Sequence, residues 1–475
     1  MQIVSDGNCT ANLGVNNPAN YCQSTDDLTI ITSCFVVGDQ INGAFANMET
    51  LIGMPYNVVD GDAHIVEANA NEVGTVWGLA YQSISNTIFA SAFYRRHTGL
   101  GPSGIAAIYQ IDKTNGTTST FMQLDDPAYF GANAFGNSLH PTNNDENSWR
   151  LDSNSYNLVG KIGLGDIDIS ESQEHLYTIN LLSRELIEIP IGSPPIAADM
   201  ANIRTFPIPT NQTDCPSPDD IRPFGLGIHN GKVYIGCVCS GESQGEFPPP
   251  PVPVVPYELE TYTRAYVYEF DPENTDNGFV EKINFDLDFR WHISDFGNFY
   301  DNFWGPWGEP FPSDALSDEP ILTRNMQPWL VDIEFDQNDM ILGFRDRFGD
   351  QQGFNMPQPN DDGNLYNPVA FGDILRACSD NNGNWTLESN GSCGNITVST
   401  YDDAFPPIGG VNDLEGPDGG EYYWSDGQYF DFGDHEPHSG IVATVDAPTN
   451  SHNGVVGEEM SKVGESFREH RCFNA

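Results

Sequence analysis

The chain has 475 residues, of which 39% are hydrophobic and 12% aromatic, so it can bury a large core. Its 68 acidic and 19 basic side chains give a net charge of -49, which excludes nucleic acid and anionic membrane surfaces as partners because both would repel it. Abundant Gly (47) and Pro (33) indicate a loop-rich, all-β protein. No run of residues has the length of a membrane span, and we expect any signal peptide to lie outside this sequence.

Residues 1–70 form a Cys-bearing N-terminal segment. Alternation of apolar and polar residues predicts two strands here, one from Leu28 to Val37 and one from Asn57 to Val66. We expect this segment to contribute its strands to the domain formed by residues 71–475.

One structural unit recurs along residues 71–475. Each copy contains two strands joined by a tight polar turn and then a third strand, and the copies begin at Val76, Gly165, Pro223 and Trp329. Repeated units of this kind build a β-propeller, for which we expect six blades, with seven as the alternative, and long loop insertions. The expected inner strands lie near Trp77, Gly165, Phe224, Val331 and Ile441. Segments from both ends of the chain should close the last blade.

Carboxylates on two of these predicted inner strands suggest a Ca²⁺ site. Asp166 and Asp168 are separated by one residue on an alternating strand and therefore share a face, and so do Asp332 and Glu334. Carboxylate oxygens are the ligands that Ca²⁺ prefers.

A second acidic pair follows the strand that contains Glu334. Asp346 and Asp350 lie in the next loop, and we assign them to calcium as well. The alternative is that these acidic residues pair with the scarce arginines, here Arg95, Arg345 and Arg347.

Cysteine usage points to an oxidising, extracellular compartment. The chain has nine cysteines, an odd number that leaves one unpaired: Cys9, Cys22, Cys34, Cys215, Cys237, Cys239, Cys378, Cys393 and Cys472. We expect disulfides between Cys378 and Cys393 and between Cys215 and Cys239, although Cys237 is an alternative partner for Cys215. Each bond should stabilise the fold by about 3 kcal/mol.

Six sequons provide acceptor sites for N-linked glycan, which indicates surface loops in a secreted glycoprotein. They lie at Asn8, Asn115, Asn211, Asn384, Asn390 and Asn395.

Several segments resemble a known family in the order in which they occur. These are VWGLAYQSISNTIFASAFYRRHTGLGPSGIAAIYQID, RPFGLGIHNGKVYIGCVCS, DIEFDQNDMILGFRDRFGD, GDILRA and GPDGGEYYW. They are similar to the N-terminal propeller-like region of large bacterial cell-surface proteins that carry SdrD B-like (Cna B-type) repeats. The resemblance implies a secreted, surface-anchored or matrix protein without catalytic activity, although this chain contains no such repeat.

Two classes of function fit these observations. In the first, the chain is a non-catalytic, calcium-stabilised surface, adhesion or filament-forming module that contacts like copies, glycan or matrix through its loops. In the second, it is a calcium-dependent propeller hydrolase of the lactonase or phosphoesterase type. We favour the first because the histidines fall mostly in predicted loops, whereas a hydrolase channel should place a base beside the carboxylates.

Overall fold

Antiparallel four-stranded sheets form repeatedly along the chain because each repeat alternates short apolar runs with polar turns. The architecture is that of a computed structural model. It describes residues 29–55, 65–244, 263–288, 304–308, 311, 321–323, 325–336, 338–353, 355–368, 372–380, 382–388, 392–393, 396–397, 421–422 and 435–438.

The first blade joins the two ends of the described chain. Its strand order is β25-β1-β2-β3. The strands are β1 (Thr29–Val36), β2 (Glu49–Pro55), β3 (Ile65–Asn69) and β25 (His435–His438). Strand β25 pairs antiparallel with β1, as expected for a propeller closed by both ends. Of the strand predicted from Asn57 to Val66, only Ile65 and Val66 lie within the described residues, and they begin β3.

The second and third blades are simple meanders. The second contains β4 (Val76–Gln82), β5 (Thr87–Ala92), β6 (Ala107–Asp112) and β7 (Thr117–Gln123). The third contains β8 (Leu164–Ile169), β9 (His175–Asn180), β10 (Glu185–Pro190) and β11 (Arg204–Pro207). In both, each strand pairs with the next along the chain, so the first strand lies at one edge.

The fourth and fifth blades follow the same plan. The fourth contains β12 (Ile221–His229), β13 (Lys232–Cys239), β14 (Arg264–Phe270) and β15 (Phe279–Asp286). The fifth contains β17 (Pro328–Asp336), β18 (Asp339–Asp346), β20 (Gly372–Ser379), β21 (Trp385–Leu387) and β24 (Glu421–Tyr422). Two small additional sheets pair β16 (Ile321–Thr323) with β19 (Tyr366–Pro368) and β22 (Ser392–Cys393) with β23 (Ile396–Thr397).

Helices are few and short. They are α1 (Ala70–Val73), α2 (Glu146–Leu151) and α3 (Arg347–Gln352), with 3₁₀ turns at Ser153–Leu158, Met200–Asn202, Pro218–Asp220, Glu242–Gln244 and Thr275–Asn277. No helix in the described ranges is long and apolar enough to cross a membrane.

The fold class is therefore an all-β propeller, as the repeats predicted. The first strands of blades two to five contact one another in succession, as the inner strands that line the central channel of a propeller do. The described residues form five blades, where six were expected, and the predicted inner strands near Trp77, Gly165, Phe224 and Val331 are β4, β8, β12 and β17. The segment of residues 1–70 contributes β1, β2 and β3 to one of these five blades. The boundary at residue 70 stays a prediction.

Candidate functional site

A β-bulge interrupts the inner strand of four blades at the same place. The pairing register shifts between Val76 and Leu79, Leu164 and Ile167, Pro223 and Leu226, and Leu330 and Asp332. Bulges re-aim side chains and increase local twist. The first residues of these pairs, Val76, Leu164, Pro223 and Leu330, therefore occupy equivalent positions in the four blades. The residues two and four positions after each of them are equivalent as well.

These equivalent positions carry acids in two blades and small residues in the other two. The pairs are Asp166 with Asp168, Asp332 with Glu334, Gly78 with Ala80, and Gly225 with Gly227. We call Asp166, Asp168, Asp332 and Glu334 the acidic cluster. The acid-bearing and small-residue blades therefore alternate in blades two to five.

Glycine is required at Gly225 because the next blade approaches its backbone closely. A Cβ added there would lie 2.6 Å from the amide nitrogen of Asp332 and 2.7 Å from the carbonyl carbon of Val331. Real Cβ atoms are not found this close to backbone. The small residue thus fixes the spacing between the fourth blade and the acid-bearing fifth blade.

Asp166 is the anchored member of the acidic cluster. Its Oδ1 accepts a hydrogen bond from the backbone N–H of Ile167 at 2.8 Å, and its Oδ2 accepts one from the N–H of Leu226 at 3.1 Å. Only 7% of the residue is exposed. Burial raises the pKa of Asp166 to about 8 despite these two hydrogen bonds. The carboxyl group therefore keeps a proton near neutral pH unless a cation stabilises its charge.

The charge of Glu334 acts on both aspartates of β8. Burial, and then the charges of Asp166 and Glu334, raise the pKa of Asp168 well above its usual range. Desolvation by the surrounding protein also raises the pKa of Glu334, although its side chain is exposed, so solvent screening limits this rise. Asp332 is half-buried at the bulge of β17. The structure thus places Asp166, Asp168 and Glu334 close enough to influence one another, with Asp332 on the same strand as Glu334.

An aromatic layer packs between blades next to the acidic cluster. Its members come from four blades and are 0–2% exposed: Phe35, Trp77, Phe93, Phe224 and Trp329. The ring centroids of Phe224 and Trp329 are 4.5 Å apart, and those of Trp77 and Phe224 are 5.6 Å apart. Because these rings come from separate blades, the layer lies where the inner parts of those blades converge.

Beyond the aromatic layer lies a buried arginine cluster, formed by Arg95, Arg96, Arg345 and Arg347. Each of these residues is 0–2% exposed. The guanidinium carbon of Arg345 lies 4.4 Å from the ring centroid of Trp77, and that of Arg95 lies 4.4 Å from the ring centroid of Phe35. These cation–π contacts place the arginines directly on the aromatic layer.

Asp350 joins the arginines of two blades. Its Oδ1 accepts hydrogen bonds from Nε of Arg95 at 2.8 Å and from Nη2 of Arg345 at 2.9 Å, and its Oδ2 accepts one from Nε of Arg345 at 2.9 Å. Asp350 is 1% exposed. The carboxylate oxygens are therefore already used by two fixed cations, which oppose the binding of Ca²⁺ there.

Asp346 is the N-cap residue of α3. Its Oδ1 accepts hydrogen bonds from the N–H groups of Gln327 and Phe348, both at 2.9 Å, which caps the helix. Burial raises its pKa well above the usual range. The structure places Asp346 and Asp350 with the arginines, the arrangement that the sequence left as the alternative, and apart from the acidic cluster.

Arg96 is held mainly by carbonyl oxygens. Its Nη1 donates to the carbonyl of Gln351 at 2.9 Å, and its Nη2 donates to the carbonyls of Leu151 at 2.6 Å and Pro357 at 3.0 Å. Burial lowers its pKa to about 10, so it remains charged at neutral pH. The sequence shows the Arg95-Arg96 pair, but not that loops more than 50 residues away supply its acceptors.

Asp152 was not anticipated as part of this region. Its Oδ2 accepts hydrogen bonds from the N–H of His97 at 2.9 Å and from Nδ1 of His140 at 2.8 Å. Although burial opposes ionisation, His140, His97 and Ser155 together hold the pKa of Asp152 below its usual range. Nothing in the spacing of Asp152 distinguishes it from the many other loop aspartates.

The disulfide between Cys215 and Cys239 is present, as predicted. Cys237 is a buried free thiol, and it is the free cysteine among the described residues. Cys34 and Cys378 are also disulfide-bonded, and the bond between Cys378 and Cys393 stays a prediction. Cys9, Cys22 and Cys472 lie outside the described residues.

Three of the sequons have described, exposed asparagines, namely Asn115, Asn211 and Asn384. Asn115 and Asn384 lie in equivalent hairpin turns between the third and fourth strands of their blades. Asn8, Asn390 and Asn395 lie outside the described residues. Glycan at any of the six positions stays a prediction.

Within the described ranges, one group of three His, Cys, Asp or Glu residues has ligand atoms all within 4.8 Å of one another. It consists of Cys215, Asp220 and Cys239, of which the two cysteines form the disulfide. The carboxylates of the acidic cluster are thus spread more widely around the channel. A cation there would need water molecules to complete its six to eight ligands.

The five blades of the described residues define an all-β propeller. Its sequence is similar to that of the colossins of Dictyostelium discoideum. It is 28% identical to Colossin-D over 465 residues, which cover 95% of this chain and 42% of that protein. It is 27% identical to Colossin-A over 406 residues, which cover 85% of this chain and 3% of that protein. The chain therefore spans less than half the length of these curated relatives.

These similarities correct the assignment to bacterial cell-surface proteins with SdrD B-like repeats. Colossin-B and Colossin-C, which also match, come from Dictyostelium discoideum, a eukaryote. The bacterial assignment was therefore wrong. It depended on short strand and turn segments, which any propeller with similar hairpins can share. No family model matches the chain.

Solved structures give weaker similarities. A chain of a nidogen–laminin complex is 7% identical, with a TM-score of 0.32, and the match covers 74% of this chain and 89% of that one. A periplasmic gluconolactonase of Pseudomonas aeruginosa is 11% identical, with a TM-score of 0.30, and the match covers 75% of this chain and 82% of that one. Matches at this level carry no argument about activity.

Proposed function

We propose that the chain is a non-catalytic, extracellular scaffold module whose acidic cluster binds Ca²⁺ and whose loops contact like copies, glycan or matrix. The observation that carries this proposal is the aromatic layer. Trp77, Phe224 and Trp329 are in contact and are at most 2% exposed. Such closely packed, buried rings between the blades favour a structural role for this region over a substrate site.

The polar groups beyond the aromatic layer support the same function. Asp350 is fully used by Arg95 and Arg345, and Arg96 by carbonyl oxygens. A catalytic acid or base must instead reach the atom with which it exchanges a proton. The arginine cluster therefore serves to hold the second and fifth blades together.

Ca²⁺ is the cofactor that the acidic cluster favours. Asp166, Asp168 and Glu334 have raised pKa values because burial and mutual repulsion disfavour three charges in one place. A divalent cation would offset both costs, and Asp332 would supply a further oxygen. We do not extend the calcium proposal to Asp346 and Asp350, since the neighbouring guanidinium groups already neutralise the site.

An extracellular location is favoured by the disulfide between Cys215 and Cys239 and by the exposed sequons. With a net charge of -49, copies of the chain repel one another at low ionic strength. Divalent ions would reduce this repulsion, so self-association should depend on them.

The alternative is a calcium-dependent propeller hydrolase. The observation in its favour is that Glu334 is exposed beside two carboxylates with raised pKa values. Such a site could accommodate a metal-bound substrate outside the aromatic layer. The scaffold proposal requires that no turnover take place there.

Turnover and assembly distinguish the two functions. The full chain is assayed against panels of lactones and phosphoesters, and its size is measured by light scattering with Ca²⁺ and with chelator. The scaffold proposal expects no turnover and a larger or more stable assembly with Ca²⁺. Turnover that disappears in both Asp166→Asn and Asp332→Asn would establish the hydrolase and overturn the scaffold.

A further inference from the structure

The corner of the fourth blade around Asp220 gathers two sulfurs and a carboxylate. One ligand atom each from Cys215, Asp220 and Cys239 lies within 4.8 Å of the other two, and all three residues are buried. Asp220 ends the 3₁₀ turn just before β12, and Cys239 ends β13, where it pairs with Ile221. Main-chain pairing therefore places the carboxylate beside the sulfur of Cys239.

Asp220 is a buried carboxylate without a direct cationic partner. It is 0% exposed, and Ser243 donates to its Oδ1 through N–H at 3.0 Å and to its Oδ2 through Oγ at 2.6 Å. In the described part of the chain, Asp220 forms no ion pair. A buried carboxylate of this kind is normally paired with a cation or bound to a metal.

We propose that reduction of the disulfide between Cys215 and Cys239 converts this corner into a Zn²⁺ site with Cys215, Cys239 and Asp220 as ligands. Two thiolates and one carboxylate, with water in the fourth position, form a tetrahedral donor set that suits Zn²⁺. The proposal does not rest on the scaffold function, because the site exists only in the reduced chain.

The chemistry balances with a dithiol as reductant. The dithiol gives two electrons and two protons to the disulfide and becomes a cyclic disulfide, while Cys215 and Cys239 become thiols. Zn²⁺ then displaces one proton from each thiol, and both protons pass to solvent. The Asp220 carboxylate binds as an anion, so the complete site carries one negative charge.

The backbone already places the two cysteines close together, since their Cα atoms are 5.8 Å apart. Zinc–sulfur bonds of about 2.3 Å in a tetrahedral site separate the two sulfurs by roughly 3.8 Å. Rotation of both side chains reaches this separation while β12 and β13 keep their pairing.

Cys237 provides the control for the contribution of Cys215 and Cys239 to zinc binding. It lies two residues before Cys239 on β13 and is buried and free, and burial raises the pKa of its thiol. It is not part of the group of ligand atoms within 4.8 Å. Replacing it should therefore leave zinc binding at the proposed site unchanged.

The test uses the full chain, reduced without oxygen, and measures bound Zn²⁺ per chain by competition with a chromophoric chelator. Near-UV circular dichroism is recorded in parallel to follow the fold. Other cysteines can bind zinc after reduction, so the proposal concerns the difference between variants. Cys215→Ser/Cys239→Ser should lose one zinc equivalent relative to reduced wild type. Asp220→Asn should bind that equivalent at least about tenfold more weakly, and Cys237→Ser should match wild type.

Zinc should also raise the melting temperature of the reduced wild type more than that of reduced Asp220→Asn. Equal zinc stoichiometry and affinity in wild type and Cys215→Ser/Cys239→Ser would overturn the proposal. Loss of the near-UV signal of wild type on reduction, without recovery when zinc is added, would overturn it as well.

Discussion

The two ends of the central channel contain the same chemical group in opposite surroundings. At one end, Asp166 is buried beside other carboxylates, and its pKa rises to about 8. At the other end, Asp350 is equally buried but lies between Arg95 and Arg345. The charge state of a buried carboxylate thus depends more on the neighbouring charged groups than on how deeply it is buried. At the arginine end two guanidinium groups neutralise the carboxylate, whereas at the acidic end burial and neighbouring carboxylates raise the pKa values of Asp166 and Asp168.

The largest expected effect on stability comes from removing the charge of Asp350 at the arginine end. Asp350→Asn leaves Arg95 and Arg345 buried without their shared anion, and the free energy of unfolding should fall by about 3–5 kcal/mol. Denaturant melts of the full chain measure this change. The matched control is Asp219→Asn, since Asp219 is 84% exposed in its pair with Arg184. That change should cost no more than about 1 kcal/mol. Equal effects of the two substitutions would remove the distinction between the channel ends.

The second prediction concerns the spacing of blades beside the acidic cluster. Gly225→Ala places a Cβ against the backbone of Val331 and Asp332 and should destabilise the fold by about 1–3 kcal/mol. Gly305→Ala is the control, because its Cβ would have ordinary contact with the carbonyl oxygen of Met326 at 3.5 Å. Thermal melts of both variants provide the measurement. If Gly225→Ala is as stable as Gly305→Ala, the close approach at Gly225 does not fix the spacing between the fourth and fifth blades.

The sequence predicts the acidic end better than the arginine end for a physical reason. The two acidic pairs follow from strand alternation, a local rule that survives in β8 and β17. The ion pair between Arg95 and Asp350 joins residues 255 positions apart, and only the closed propeller brings them together. Local patterns also predicted the hairpins accurately. They could not show the bulges, which lie between the first and second strands of blades two to five.

The described residues form five blades, and the inner strand predicted near Ile441 lies outside the described residues. The relatives illustrate the same limit. The short segments that suggested bacterial surface proteins are mostly hairpin strands and turns. Such segments define the fold, while relatives are recognised over the whole chain.

The third prediction uses pH to separate the two ends. The pKa of Asp166 is raised on folding, so its contribution to stability is fully present below its unfolded pKa near 3.8. That contribution is lost as the pH rises towards about 8. Without divalent cations, Asp166→Asn should therefore weaken the loss of stability between pH 5 and 8. At pH 8 it should be the more stable protein by at least about 1.4 kcal/mol, the equivalent of one pKa unit.

Asp112→Asn is the control for this pH series. Hydrogen bonds from Asn115 and Thr114 lower the pKa of Asp112, so its contribution is present above its unfolded pKa and is lost in acid. Substitution of Asp112 should leave the pH dependence of the free energy of unfolding between pH 5 and 8 unchanged. If Asp166→Asn has the same pH dependence of the free energy of unfolding as wild type, the pKa of Asp166 is not raised on folding and the prediction fails.

Calcium titration of the melting temperature tests the central claim most directly. Wild type and the double variant Asp166→Asn/Glu334→Gln are melted at pH 7.5 with chelator and with increasing Ca²⁺, and Mg²⁺ serves as the ionic-strength control. We predict that Ca²⁺ raises the melting temperature of wild type well beyond Mg²⁺, and that the double variant responds equally and weakly to both ions. A calcium shift of the same size in both proteins, or no calcium-specific shift in wild type, would contradict a calcium site at the acidic end of the channel.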